Sequence, residues 1–138
     1  MVDCRQLVQL GFVFKSDRLQ LAKSGLGECF LGFLINQKEI GKKVVGYGAA
    51  AKGSTLLNYC GVKSDLVEFV ADASVYKQGR FMPGSHIPIV DESFISKERP
   101  DFIIIFPWNI KEEIIKQLSY VNEWNGKFVT AIPRLQIG

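Results

Sequence analysis

The stretch Lys43-Val44-Val45-Gly46-Tyr47-Gly48-Ala49-Ala50-Ala51-Lys52-Gly53 decides the fold of this chain. It begins with a run of β-branched and aromatic residues over 43–47, which predicts a buried strand. Glycine and alanine then let the backbone turn sharply into a helix that we expect over 52–60, closed by Gly61. A strand, a small-residue turn and a helix in this order are typical of the first unit of a parallel α/β sheet.

The rest of the chain repeats this alternation. Further strands are predicted over 66–71, 87–90, 102–106 and 127–132, the last ending before Pro133. A helical turn is expected over 92–97 and a longer helix over 18–40, while residues 1–15 stay unassigned. Alternating strands and helices imply right-handed crossovers and a covered parallel sheet. We therefore predict an α/β fold, a Rossmann-like three-layer sandwich with a mainly parallel sheet of about five strands and an N-terminal helix.

A further helix is predicted over 110–124. One apolar stripe, broken by charged residues that face water, is made by Ile110, Ile114, Ile115, Leu118 and Val121. Asn109 and Glu112 have the spacing of a capping box at its start. With these elements we expect a helical lead-in over 1–41 and one Rossmann-like domain over 42–138.

The composition and charge of the chain exclude several classes of protein. The 138 residues are 47% hydrophobic and 22% charged, with a net charge of +3, which suits one globular domain. No basic run exceeds the pair Lys42-Lys43, so we expect no nucleic-acid partner. Apolar runs are too short to span a membrane and no signal peptide is visible, so we expect no membrane partner and a cytoplasmic location. Cys4, Cys29 and Cys60 are widely spaced, which indicates reduced, packed thiols rather than disulfides or a metal site.

The loop that follows the first predicted strand is the strongest candidate site. Small residues let the backbone approach a ligand, and the N–H groups and dipole of a starting helix favour an anion such as phosphate. The candidate substrate or anion ligands are Gly46, Gly48, Ala49, Lys52, Gly53 and Ser54. The alternative is that the small residues serve only close packing of strand against helix, without a ligand.

The same loop fits the dinucleotide pattern G-x-G-x-x-A. Asp72, about 20 residues later at the end of the second predicted strand, stands where such a domain holds a ribose hydroxyl. Asp72 is a cofactor ligand only if the chain binds a dinucleotide. A P-loop is disfavoured, because Lys52 precedes Gly53 and Ser54 follows it.

Two more clusters leave strands at the carboxyl edge of the sheet, where open α/β folds bind ligands. In the first, over 76–88, Lys77 and Arg80 are candidates for pairing with phosphates, and His86 is the single histidine. A solvated loop is the alternative for this cluster. In the second, Trp108 is a candidate to stack on a ring or to meet another domain, and Asn109 is either a helix cap or a ligand donor. No catalytic triad, carboxylate pair or metal spacing is visible.

Four motifs together carry a resemblance. They are GYGAAAKGSTLLNYCG (46–61), YKQGRFMPGSHIPI (76–89), PDFIIIFPWNIKEEI (100–114) and GKFVTAIP (126–133). In this order they resemble the C-terminal domain of S-adenosylmethionine-dependent sugar C-methyltransferases, which methylate a ring carbon of nucleotide-linked 4-keto sugars in deoxysugar pathways. The resemblance covers about residues 41–133.

The resemblance implies an enzyme of three parts. A zinc module and a central domain that binds S-adenosylmethionine precede the C-terminal domain, which helps enclose the nucleotide sugar. This chain lacks the zinc cysteines, the donor-binding domain and the Tyr/His acid-base motif. We therefore expect no catalytic residue, metal or cofactor here, and inactivity of the chain alone. Its expected partners are a nucleotide-linked sugar and a separate domain or chain that binds the methyl donor.

Two other functions stay open from the sequence. The chain would be a non-catalytic NAD- or CoA-type nucleotide-binding module if Asp72 held a ribose. It would be a structural module that closes or dimerises its enzyme if Trp108 and the first-half helix formed an interface.

Overall fold

A computed structural model describes residues 25–131 and 135–138 of the chain. Its helices and strands follow in the order α1 (Gly25–Glu39), β1 (Val44–Tyr47), α2 (Ala51–Cys60), β2 (Val70–Ala71), β3 (Ile89–Val90), α3 (Ser93–Glu98), β4 (Phe102–Ile105), α4 (Lys111–Gln117), β5 (Lys127–Thr130) and β6 (Gln136–Ile137). Two 3-10 segments, Trp108–Ile110 and Ser119–Trp124, flank α4.

The described strands form one sheet in the order β3-β2-β1-β4-β5-β6. All neighbours are parallel except β5 and β6, which are antiparallel. The order of the first five strands places the topological switch between β1 and β4, as in Rossmann-type sheets. The predicted α/β fold and its mainly parallel sheet are therefore confirmed.

Helices cover both faces of the sheet, which makes three layers. On one face α1 and α2 pack against the sheet, and the largest fully buried side chains there include Phe30, Phe33, Leu57, Met82 and Phe106. On the other face α3 and α4 cover Ile95, Ile103, Ile105, Ile114 and Leu118. Burial of each such side chain contributes roughly 1.5–3 kcal/mol to the stability of the fold, so both helical layers stabilise the sheet.

The unit from β1 to α2 is close to its prediction. β1 begins at Val44 instead of residue 43, and α2 begins at Ala51 instead of residue 52. Gly61 ends α2 in the left-handed conformation, with φ 67°, and its N–H bonds to the carbonyls of Leu57 and Asn58. Cys60 is buried at this end as a reduced thiol, and burial raises its pKa to about 11.

The prediction of one continuous helix over 110–124 is wrong. The segment is a 3-10 turn, then α4, then a second 3-10 segment that begins at Ser119. Leu118 and Val121 are both fully buried, and three-residue turns place side chains three apart on one side. Ile110 and Ile115 are 41% and 36% exposed, so the apolar stripe is only partly buried.

The predicted capping box is also wrong. Asn109 lies inside the turn Trp108–Ile110, where the Ile110 N–H bonds to the Pro107 carbonyl at 3.1 Å. That turn moves the start of α4 to Lys111, with Ile110 in the capping position and no side-chain cap.

Strand boundaries differ in several places. The predicted strand over 66–71 is reduced to β2, because Leu66 and Val67 both turn back onto the Lys63 carbonyl at the end of α2. The strands predicted over 87–90, 102–106 and 127–132 appear, shortened, as β3, β4 and β5. β6 has no counterpart among the predictions.

Several predictions fall partly outside the described residues. These are the first part of the helix over 18–40, residues 1–15, Cys4 and the strand end at Pro133. Of the predicted 18–40 helix, α1 is the described part. Within residues 25–131 and 135–138, no helix is long and apolar enough to cross a membrane.

Candidate functional site

The Gly-rich loop, here residues 46–53, includes the end of β1 and the first turn of α2 at the carboxyl edge of the sheet, and its glycines pack against Phe106 and Pro107, which follow β4. A Cβ atom at Gly46 would lie 2.5 Å from Phe106 Cε2, and one at Gly53 would lie 2.7 Å from Phe106 Cγ. Phe106 is 1% exposed. The glycines at 46 and 53 therefore make room for a core ring, which agrees with the packing interpretation of this part of the motif.

Gly48 is the turning point of the loop. Its φ of 89° favours glycine, and a Cβ there would lie 2.6 Å from Pro107 Cδ. Pro107 follows β4, so the loops after β1 and β4 meet directly at the topological switch point. In a dinucleotide-binding sheet this crevice holds the ligand. Here Pro107 occupies the part of it next to Gly48.

Asp72, at the end of β2, fastens the Gly-rich loop from the other side. Its Oδ2 accepts the Ala49 N–H at 2.7 Å and its Oδ1 accepts the Ser74 N–H at 2.8 Å. Its side chain is 13% exposed. Both carboxylate oxygens thus bond to backbone groups of the chain itself and hold the Gly-rich loop against the end of β2.

Two lysines lie beside this loop. Lys77 Nζ donates to the Ala49 carbonyl at 3.1 Å and lies 3.8 Å from Asp72 Oδ2. Lys52, in the first turn of α2, places Nζ 4.6 Å from the centre of the Trp108 ring. The structure therefore brings Lys52, Lys77 and Trp108 to one edge around the start of α2.

The start of α2 is partly occupied by the chain itself, since the Asp72 carboxylate bonds to the Ala49 N–H just before it and the Ala50 and Gly53 N–H groups donate to the Gly48 and Ala50 carbonyls. Ala50, in the capping position, makes no side-chain hydrogen bond, and no acidic residue lies in the first turn. The first N–H groups of a helix have no carbonyl partner within it, and they carry the positive end of the helix dipole. Ser54, at the fourth position of α2, bonds through its N–H to the Ala50 carbonyl at 3.2 Å.

The remaining predicted residues are spread more widely. Arg80 is exposed, and its backbone bonds to Lys77 and Ile89 hold it beside β3. His86 is exposed with φ 60°, and its ring centre is 5.4 Å from that of Phe81. Asn109 is exposed in its 3-10 turn.

The turn that contains His86 lies at the far end of α2. The Pro83 carbonyl accepts from Asn58 Nδ2 at 3.0 Å, and the Gly84 carbonyl accepts from Lys63 Nζ at 3.2 Å. Because α2 is about 15 Å long, this turn is separated from the Gly-rich loop. The structure does not bring His86 to the loop.

The sequence analysis missed a polar cluster at the same carboxyl edge. Tyr47, the last residue of β1, donates its hydroxyl to Glu92 Oε2 at 2.9 Å. Gln117 Nε2, at the end of α4, donates to both, at 3.0 Å to the Tyr47 hydroxyl and 2.8 Å to Glu92 Oε2. Burial and the neighbouring carboxylate raise the pKa of Tyr47, so its hydroxyl is a neutral donor. The signal was a tyrosine closing an otherwise aliphatic strand.

Comparison with known proteins shows the family of the chain. The profile of the C-methyltransferase C-terminal domain family matches residues 20–133, which is most of the chain. The chain belongs to that family. The resemblance stated from four motifs is therefore confirmed, and the protein is a methyltransferase-associated C-terminal domain.

One curated relative and one solved structure accompany the family match. C-methyltransferase NovU of Streptomyces niveus is 39% identical over 97 residues, which are 70% of this chain and 23% of NovU. The chain thus spans less than a quarter of that relative. The crystal structure of UDP-D-quinovosamine 4-dehydrogenase from Vibrio fischeri aligns with a TM-score of 0.47 and 20% identity, over 67% of this chain and 79% of that one.

A C-methyltransferase needs a methyl donor, and the described residues do not fit one at the Gly-rich loop. The carboxylate at the end of β2, where a donor with a ribose would bind, already accepts the N–H groups of Ala49 and Ser74 and is only 13% exposed. Pro107 lies against Gly48 where the donor would cross the crevice. Within the described residues, no group of three or more histidine, cysteine, aspartate or glutamate side chains is arranged to hold a metal ion.

Proposed function

We propose that this C-methyltransferase C-terminal domain is the substrate side of a sugar C-methyltransferase. In this proposal it holds the diphosphate of a nucleotide-linked sugar at the start of α2, beside Lys52 and Lys77. The chain contributes by orienting the substrate, since a fixed geometry lowers the entropic barrier to methyl transfer. The methyl donor, and the group that removes the proton from the ring carbon, belong to a separate domain or chain.

One observation supports the proposal most. The first turn of α2 has no side-chain cap and no acidic residue of its own, and the ammonium groups of Lys52 and Lys77 lie beside it. The Asp72 carboxylate borders it through the Ala49 N–H and lies 3.8 Å from the Lys77 ammonium, so Lys52 is the ammonium group with no carboxylate described beside it. An anion there gains hydrogen bonds from backbone N–H groups, the helix dipole and charge-assisted bonds from the lysines. Each charge-assisted bond contributes about 1.5–3 kcal/mol.

The role of Asp72 favours this function over the NAD- or CoA-type module. In a dinucleotide-binding domain the carboxylate after β2 is available for two ribose hydroxyls. Here both of its oxygens accept backbone N–H groups, so they stabilise the loop instead. A diphosphate at the start of α2 does not use Asp72 as a ligand.

Titration calorimetry with UDP-glucose at low salt tests the proposal. We expect binding to weaken about tenfold in Lys52→Ala, because the lost charge-assisted bond is worth roughly 1.5–3 kcal/mol. Lys116→Ala, which removes an exposed lysine from α4, is the matched control and should bind as the unchanged chain does. The loss in Lys52→Ala should shrink as salt is raised, since exposed charges are screened.

Absence of binding by the unchanged chain at millimolar UDP-glucose would overturn the proposal. Equal loss in Lys52→Ala and Lys116→Ala would also contradict it, because that result indicates a general effect of net charge.

A further inference from the structure

The face of the sheet that α4 covers leaves a gap beside β6. The buried side chains of that face come from strands β1, β2, β4 and β5 and from the helices over them, and none of the described ones comes from β6. Ile137 packs with the opposite face, so the side chain of its neighbour Gln136 is turned to the α4 side. A cleft of about 70 Å³ lies there, between α4 and β6.

The floor and one wall of this α4–β6 cleft are apolar. Ile105, at the end of β4, and Phe128, in β5, line it and are 1% and 7% exposed. Ile115 lines it from α4 and is 36% exposed. Since an apolar surface left in water is unfavourable, the cleft favours a group that covers these three side chains.

The other lining side chains are polar. Lys111, half-buried at the start of α4, donates from Nζ to Gln136 Oε1 at 3.5 Å, which is long for a hydrogen bond. Thr130 is 6% exposed and lies two residues after Phe128, so its side chain is on the same face of β5. Among the described residues no carboxylate side chain lines the cleft, and the partner of the Lys111 ammonium is this neutral amide.

These groups select the charge and the size of a ligand. A half-buried ammonium group beside an apolar surface is stabilised by an anion. One ammonium balances one negative charge, whereas a phosphate group carries about −1.5 to −2 at neutral pH. A water molecule needs roughly 10–15 Å³ of such a cavity, so the cleft admits a body of only a few carbon atoms.

We propose that the α4–β6 cleft binds a small organic acid whose carboxylate pairs with Lys111. The apolar body of the acid lies against Ile115 and Phe128, and the Gln136 amide and the Thr130 hydroxyl are further hydrogen-bond donors for the carboxylate. Because α2 packs on the opposite face of the sheet, this site does not depend on the proposed function.

An NMR titration of the whole chain with short acids tests the site. The N–H groups of Phe128 and Gly138 bond to each other's carbonyls at 2.8 and 2.9 Å beside the cleft, so their resonances report on it. Butyrate should bind roughly fivefold to tenfold tighter than acetate, since each buried methylene gains up to about fourfold. Isocaproamide, which has the shape of isocaproate without its charge, should bind at least about fivefold more weakly than isocaproate.

A substitution at Lys111 tests its role in the same titration. Lys111→Met keeps the apolar stem and removes the ammonium, so it should weaken isocaproate binding about fivefold or more and leave isocaproamide binding unchanged. Lys116→Met is the matched control, because Lys116 is an exposed lysine of α4 that does not line the cleft.

Three outcomes would overturn the organic-acid site. The first is that millimolar isocaproate leaves the Phe128 and Gly138 resonances of the unchanged chain in place. The second is equal affinity for isocaproate and isocaproamide, which would make the cleft an apolar crevice without a charge preference. The third is equal loss in Lys111→Met and Lys116→Met, which would indicate a general effect of net charge. The comparison of ligands on the unchanged chain decides the matter even if Lys111→Met fails to fold.

Discussion

The Gly-rich loop and the β2–β3 excursion, residues 73–81, both follow strands at the carboxyl edge, and they are held in different ways. The loop is fixed by packing, since its glycines lie against Phe106 and Pro107. The excursion is fixed by hydrogen bonds and exposes Val75, Tyr76 and Phe81. The difference teaches that a motif rich in glycine can serve the core, while the exposed apolar side chains stand on the segment beside it.

Asp72 joins the two regions. One of its oxygens bonds to the loop at Ala49 and the other to the excursion at Ser74, while Lys77 returns from the excursion to the loop. Any ligand at this edge therefore meets a surface whose two halves are aligned by a single carboxylate. Substitutions in the Gly-rich loop, at Asp72 and in the excursion perturb these three parts separately.

The largest effect is expected from Gly46→Ala. The new Cβ would lie 2.5 Å from Phe106 Cε2 within the central strand, so either the ring or the backbone must move. Overpacking of this kind typically costs about 1–3 kcal/mol, and we expect a loss of about 2 kcal/mol in the free energy of unfolding, measured by urea denaturation.

A double-mutant cycle with Phe106→Leu is the control for Gly46→Ala. If the ring causes the loss, the two changes together should cost less than their sum. Strict additivity would show that Gly46 is needed for its backbone alone, and the contrast between a packed loop and a hydrogen-bonded excursion would fail.

The link that Asp72 makes between the loop and the excursion is tested by Asp72→Asn. An asparagine offers one acceptor oxygen, so the Ala49 or the Ser74 N–H loses its partner, at a cost of about 1–3 kcal/mol for a group shielded from water. Asp91→Asn is the control, because Asp91 is exposed and its hydrogen bonds go to Ser93 alone, two residues on, where lost bonds are replaced by water. Equal unfolding curves for both variants would contradict the account of Asp72 as the link.

The sequence predicted the elements whose signal is local. β1, the small-residue turn, α2 and the terminating Gly61 lie within 18 consecutive residues, Val44 to Gly61, and each has a pattern of its own. β6 is two residues long, too short for a period to appear. The breaks in the 110–124 segment depend on which side chains the sheet buries, which periodicity alone does not determine.

The sequence predicts which residues lie at the carboxyl edge, and it does not predict the contacts between them. That Lys52, Lys77 and Trp108 share an edge follows from the carboxyl-edge rule for parallel strands. The contact between Gly53 and Phe106 joins residues far apart in sequence, so no local pattern contains it. The spacing of Asp72 indicated a ribose ligand only under the dinucleotide alternative, and its bond to Ala49 depends on the folded position of the loop, which spacing does not contain. The division into 1–41 and 42–138 stays a prediction.

The next substitutions are expected to change ligand affinity and to affect the free energy of unfolding less than the changes above. Arg80→Ala should weaken UDP-glucose binding less than Lys52→Ala does, and less still at high salt, because Arg80 lies beside β3 and its exposed charge is screened. Trp108→Ala tests the interface alternative. If Lys52→Ala leaves affinity unchanged while Trp108→Ala abolishes association with a donor-binding chain, the edge is a domain interface and the ligand proposal is wrong.

The smallest effect is expected from the exposed turn itself. Val75→Ser and Tyr76→Ala should each change the free energy of unfolding by no more than about 0.5 kcal/mol, because both side chains are mostly in water and the turn is held by backbone and Gln78 bonds. Urea denaturation beside Gly46→Ala gives the scale. A loss above about 1 kcal/mol in either variant would mean that the turn depends on these side chains. A neutral result would show that hydrogen bonds hold the excursion without them, so that the Asp72 link to the Gly-rich loop stays in place when the exposed side chains are removed.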